Sequence, residues 1–186
     1  MSFAKDIKKI TDKGKLLLVR DLLDAINIKT KIKRIGDVNM RIDAMGKLPD
    51  GKTAIFSIEF GNDALEIPRK ILEDYAIIHN RYNIKKKDIV TFAILNLLPS
   101  KRSEYYKVVD DIKKITQIEI YTMSLDFLDK MIKQNETIND YNYKDFYISS
   151  IEDNKFFPPP STDVIQGDHL IFTPGFCTMK AIYFSM

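Results

Sequence analysis

The chain has 186 residues, 45% of them hydrophobic, which suffices for one compact core with a small appendage and is short for two independent domains. Its single cysteine, Cys177, excludes an internal disulfide. No stretch has the length and apolarity of a membrane span or signal peptide, since Lys5, Asp6, Lys8 and Lys9 interrupt the start, so a soluble cytoplasmic protein without a membrane partner is expected.

The net charge of +3 conceals an asymmetry. Residues 1–114 carry 24 Lys and Arg against 16 Asp and Glu (+8), and residues 115–186 carry 5 against 10 (−5). Basic clusters such as Lys29/Lys31/Lys33/Arg34 and Lys85/Lys86/Lys87 favour a polyanionic partner, whereas each cluster alone reads equally as a solvated face.

Residues 15–27 place Leu16, Val19, Leu22, Leu23 and Ile26 at helical spacing, with Arg20, Asp21 and Asp24 on the other side. A short strand is expected over 29–35. Residues 38–46 and 53–61 both alternate strictly and flank Leu-Pro-Asp-Gly-Lys, the pattern of a β-hairpin. Its buried face would carry Val38, Met40, Ile42, Ala44, Ala54, Phe56, Ile58 and Phe60. The other face would display Asn39, Arg41, Asp43, Ser57, Glu59 and Gly61.

A turn centred near Asp50–Gly51 sets Asp43 opposite Ser57 to Glu59, with parity favouring Glu59 and opposed Cβ atoms about 5 Å apart. Two carboxylates so close repel unless a cation sits between them, and Mg²⁺, with oxygen bonds of about 2 Å, fits. The bland alternative is an exposed hairpin face whose acids are relieved by Arg41 or Arg69.

Residues 64–82 return to helical spacing through Ile67, Ile71, Tyr75, Ile78 and Tyr82, with Pro68 tolerated near the start. Residues 88–98 form an apolar run fit for a strand buried on both sides. Residues 103–115 and 125–134 read as helices and 117–123 as a strand, with Ser124 capping the helix after it. Residues 1–134 are thus expected to form an α/β core around a mixed central sheet, and 135–186 a loop-rich extension packing on it.

This order, with Arg41-Ile42-Asp43, the run IFSIEFGN containing Glu59, and IPRKIL at Ile67 to Leu72, resembles the PD-(D/E)XK nuclease superfamily over roughly residues 15–123. Within it, the segments are similar to the recombination-promoting nuclease and transposase group. The resemblance implies a restriction-endonuclease-like core and metal-dependent hydrolysis of phosphodiester bonds in DNA. Asp43 and Glu59 would hold Mg²⁺ or Mn²⁺, with a third acid from the first helix, Asp24 before Asp21.

One position departs from the pattern. The family carries Lys, Gln or Glu two residues after the second acid, where this chain has Gly61. Lys70 is the preferred substitute, ahead of Arg69 and Lys52. Arg41, Arg69, Lys85, Lys86 and Lys87 would contact nucleic acid, and a homodimer would suit the cutting of two strands. If no residue replaces the lysine, the fold becomes a non-catalytic nucleic-acid-binding or protein-interaction module.

Asp50 spells the family's Pro-Asp literally but is explained by turn chemistry alone. His79, His169 and Cys177 have no partners at a metal or nucleophile spacing. Aromatics such as Tyr105, Tyr106, Tyr141, Tyr143, Phe146 and Tyr147 could stack on bases but read more simply as packing.

Overall fold

A computed structural model describes residues 10–32, 41–61 and 63–150. Helix α1 (Asp12–Ala25) is followed by strands β1 (Lys29–Ile32), β2 (Ala44–Lys47) and β3 (Thr53–Glu59). Then come α2 (Glu66–Arg81), β4 (Ile89–Leu95), α3 (Glu104–Thr116), β5 (Ile120–Ser124) and α4 (Leu125–Lys133). Short 3₁₀ turns at Lys86–Asp88, Ile138–Asp140 and Tyr143–Phe146 complete the described elements. The chain divides into two compact units, Met1–Ile151 and Glu152–Met186; the second lies outside the described residues, as do His169 and Cys177.

The five strands form one sheet in the order β1-β2-β3-β4-β5. The first three pair antiparallel, and β3, β4 and β5 run parallel with α2 and α3 as crossovers. The fold is therefore α/β with a mixed sheet flanked by helices.

Both faces are covered. On one, Val19, Leu22, Leu23 and Ile26 of α1 and Leu128 and Met131 of α4 pack on Ala54, Phe56, Ile58, Val90, Phe92 and Ile94. On the other, Ile67 and Ile71 of α2 and Tyr105, Tyr106 and Val109 of α3 cover Ala93 and Leu95, while Ile78 covers Ile55. All seven residues of β4 are buried, as its continuous apolar run requires. Phe56 and Phe92 stack with centroids 5.2 Å apart and anchor the centre of the first layer.

Helix starts follow local chemistry. Thr11 Oγ1 accepts from Gly14 N at 3.2 Å, and Ser124 Oγ accepts from Phe127 N at 3.1 Å, the cap expected for α4. Pro68 sits at the third position of α2, where no intrahelical amide partner is needed. No helix among the described residues is long and apolar enough to cross a membrane.

Two expectations for the hairpin are corrected. Regular pairing begins only at Ala44, and Ile42 joins Ile55 and Ile78 beneath α2 instead of sharing the layer of Ala44 and Phe56. The face expected to be polar and open is roofed by α2, which leaves Ser57 0% and Asp43 8% exposed. Val38, Asn39 and Met40 lie outside the described residues.

Candidate functional site

The hairpin turn fixes the register. Leu48 N donates to Lys52 O at 3.0 Å and Gly51 N to Leu48 O at 2.9 Å, and Gly51 takes a positive φ of 84° that favours glycine. Asp50 Oδ1 accepts from Lys52 N at 3.1 Å, so this acid serves the turn.

From that turn the ladder runs Lys47 with Thr53, Gly46 with Ala54, Met45 with Ile55 and Ala44 with Phe56. One step further places Asp43 across from Ser57 and makes Glu59 its diagonal neighbour, about 7–8 Å away by Cα. The sequence expectation that Asp43 faces Glu59 is thereby corrected: the tight turn sets the register two residues short of it, level with Ser57.

Asp43 ends the ladder with its side chain. Its Oδ2 accepts from Ile58 N at 3.0 Å, in place of the carbonyl a longer β2 would supply, and forms an ion pair with Lys70 Nζ of α2. Lys70 reaches inward because it lies one helical turn from Asp74, which is 0% exposed. Ser57 Oγ donates to Asp74 Oδ2 over 3.4 Å, and Asp74 Oδ1 is buried with no hydrogen-bond partner among the described residues. Burial pushes the Asp74 carboxyl up to about 6; Lys70 opposes the rise and charge on Asp43 reinforces it.

Glu59 closes β3 and is half-buried, with Oε1 accepting from Gly61 N at 2.6 Å. A Cβ at position 61 would lie 2.9 Å from that oxygen, so any side chain there would displace the carboxylate from its present place. The cationic group of the site comes from the helix instead, through Lys70.

The other candidates are dispersed. Asp24 is exposed on α1, in the layer opposite α2, where Oδ1 accepts from Thr30 N at 2.9 Å and secures the start of β1; it does not join Asp43. Arg41 and Arg69 both pair with Glu73, and Arg69 also with Glu66, on the outer edge of α2. Lys85, Lys86 and Lys87 lead into β4 at the level of Thr53, the far end of β3 from Asp43. His79 Nδ1 engages Ile84 O at 2.8 Å.

Sequence reading missed Asp74, although its signal was present. It stands with Ile67, Ile71 and Ile78 in the buried stripe of α2, where a carboxylate is anomalous.

The donor chemistry fits a hard dication. Asp43 Oδ1 and Glu59 Oε2 accept no hydrogen bond among the described residues, and Asp74 adds a second buried acid that the single Lys70 does not neutralise. No group of three or more acidic, His or Cys ligands stands ready among the described residues. Carboxylate oxygens are the ligand type that Mg²⁺ takes.

No family profile and no curated protein matches the chain. Two solved structures are similar at low identity. One, titled as the structure of an EndoMS–dsDNA2 complex, has a TM-score of 0.44 and 12% identity, covering 61% of this chain and 44% of that one. The other, a repair endonuclease from Pyrococcus abyssi, has a TM-score of 0.44 and 11% identity, covering 62% and 47%. This chain spans less than half the length of each of these two solved proteins.

Proposed function

We propose that this protein is a Mg²⁺- or Mn²⁺-dependent endonuclease that hydrolyses phosphodiester bonds in DNA. The observation that carries the reading is the ion pair between Lys70 and Asp43, which brings a cation from α2 to the hairpin when position 61 holds glycine. Asp43 and Glu59 would hold the dication, which when bound lowers the pKa of the attacking water and stabilises charge on the phosphate.

Lys70 would lend its ammonium to a non-bridging phosphate oxygen, releasing part of its hold on Asp43 as substrate enters. Asp74, one helical turn on, adds a second buried acid to the surroundings of Lys70. Arg41 and Arg69 border the site in exposed ion pairs that contribute little stability and can exchange for backbone phosphates.

The test is cleavage of DNA with Mg²⁺ or Mn²⁺ by the wild type and by Asp43→Ala, Glu59→Ala and Lys70→Ala. Losses of at least about 100-fold in each variant with folding intact are expected; cleavage unchanged in the two acid variants would refute the site.

A second reading has one specific support: the carboxylate that would hold the dication is paired with the Lys70 ammonium. In that reading the protein is a non-catalytic nucleic-acid-binding or protein-interaction module. Salt-sensitive DNA binding with no cleavage in either metal favours nucleic-acid binding, and failure to bind DNA or RNA at low salt favours protein interaction.

A further inference from the structure

A cleft of about 250 Å³ opens at the end of the sheet opposite Asp43, where Lys86 and Lys87 lead into β4 and residues 117–119 lead into β5. It lies on the level of Thr53 and Ile89, about 13 Å along β3 from the level of Asp43 at 3.3 Å per residue. Tyr75 of α2 and Tyr143 of the last 3₁₀ turn supply aromatic wall, and Lys52 and Lys144 complete the basic lining.

The charges within the cleft are unevenly matched. Lys52 Nζ is held by Tyr143 Oη at 2.7 Å and Asp50 Oδ2 at 2.9 Å, and lies 5.3 Å from the Tyr143 ring centroid. The carboxylate in the lining, Glu119, is engaged by Lys113 Nζ at 2.8 Å and Tyr121 Oη at 2.5 Å. Lys86, Lys87 and Lys144 have no carboxylate within ion-pair distance among the described residues. Lys144 acts on Glu119 only from beyond that distance, and Lys86 and Lys87 add two further ammonium groups to the same concavity, which repel one another until an anion enters.

We propose that this cleft binds a phosphate ester the size of one nucleotide, presented either as a free mononucleotide or as the phosphorylated end of a nucleic-acid strand. The volume limits the occupant, since a duplex cannot enter a space near the lower bound of small-ligand pockets. Three lysines suit a phosphate dianion, and the tyrosines offer aromatic edges to a sugar and base. The site is independent of the nuclease reading, because it needs neither a metal nor Asp43.

The test uses the full chain without divalent metal. Binding of adenosine 5′-monophosphate, adenosine, and a short single strand with or without a 5′-phosphate is measured for the wild type and for the triple variant Lys86→Gln, Lys87→Gln, Lys144→Gln. These residues are exposed and their side chains form no ion pair among the described residues, so the variant should melt as the wild type does. Phosphate-dependent binding that weakens on the order of tenfold or more in the variant supports the proposal. Mononucleotide binding identifies a free ligand, and binding of the phosphorylated strand alone identifies a strand end. Absence of binding, equal binding of the phosphate-free compounds, or full affinity in the triple variant overturns it.

Discussion

Lys70 and Asp43, 27 residues apart in sequence, form an ion pair that joins helix α2 to the end of the hairpin. Their side chains are 30% and 11% exposed, so the lysine keeps a route to water that the acid lacks. Removing the two partners should therefore have unequal effects. Lys70→Met strands a buried carboxylate and should cost about 2 kcal/mol, more than the 0–1 kcal/mol of an exposed pair. Asp43→Asn can still accept from Ile58 N and leaves Lys70 free to reorient, so it should cost about half as much. Urea unfolding of both variants checks this; equal losses, or losses below 0.5 kcal/mol, would remove the pair from the structural account.

The buried acid behind that pair gives a pH dependence of definite sign. Asp74 has a folded pKa of about 6, above the ordinary carboxylate value near 4, so the unfolded chain releases this proton first as pH rises. Its contribution is full below about pH 4, declines as pH rises, and is gone above about pH 6. Asp74→Asn removes that slope. The variant should match the wild type near pH 4 and exceed it by about 2 kcal/mol at pH 7.5, the lost attraction to Lys70 trimming the gain. Unfolding at pH 4.5, 6 and 7.5 measures the gap, and a gap independent of pH would mean that Asp74 does not titrate in this range.

Most of the architecture could be read from period and punctuation. The apolar run at 88–98 became a fully buried β4, Leu-Pro-Asp-Gly-Lys became the hairpin turn, and Ser124 caps α4. What escaped depended on tertiary packing. Strand alternation assigned Ile42 to the layer of Ala44, yet regular pairing stops at Ala44 and the preceding residue uses its carboxylate to end the ladder. In α2 the apolar stripe was traced through Tyr75, whereas Asp74 is the buried residue. A helix pattern tolerates one-residue ambiguity of that kind, and only the partner layer resolves it. Lys70, named from the sequence as a substitute for the cation missing at Gly61, lies in an ion pair with Asp43.

The turn itself can be tested at Gly51. Its positive φ, with nothing within 4 Å of an added Cβ, isolates backbone conformation from packing. Gly51→Ala should cost about 1 kcal/mol, while Gly51→Asn, which tolerates the left-handed region, should recover much of it. A neutral Gly51→Ala would show that the turn relaxes and that the register around Asp43 is not held from this end.

Residues 136–150 offer a further test, since they were expected to begin a loop-rich extension. Ile138 N donates to Ile26 O at 2.9 Å, Tyr143 packs against Tyr121 with centroids 5.3 Å apart, and Phe146 is 8% exposed between Phe127 and Tyr141. Asp110 of α3 accepts from Tyr147 Oη at 2.5 Å and Ser150 N at 2.8 Å, tying the segment to the second layer. Deleting everything after Asn135 would therefore strip part of the core. Phe146→Ala should cost about 3 kcal/mol, the range for a buried aromatic. Asp110→Asn, which keeps one acceptor but weakens charge-assisted bonds, should cost about 1 kcal/mol. If Phe146→Ala lowers stability by less than 1 kcal/mol in urea titration, the segment is an ornament on a core that closes without it.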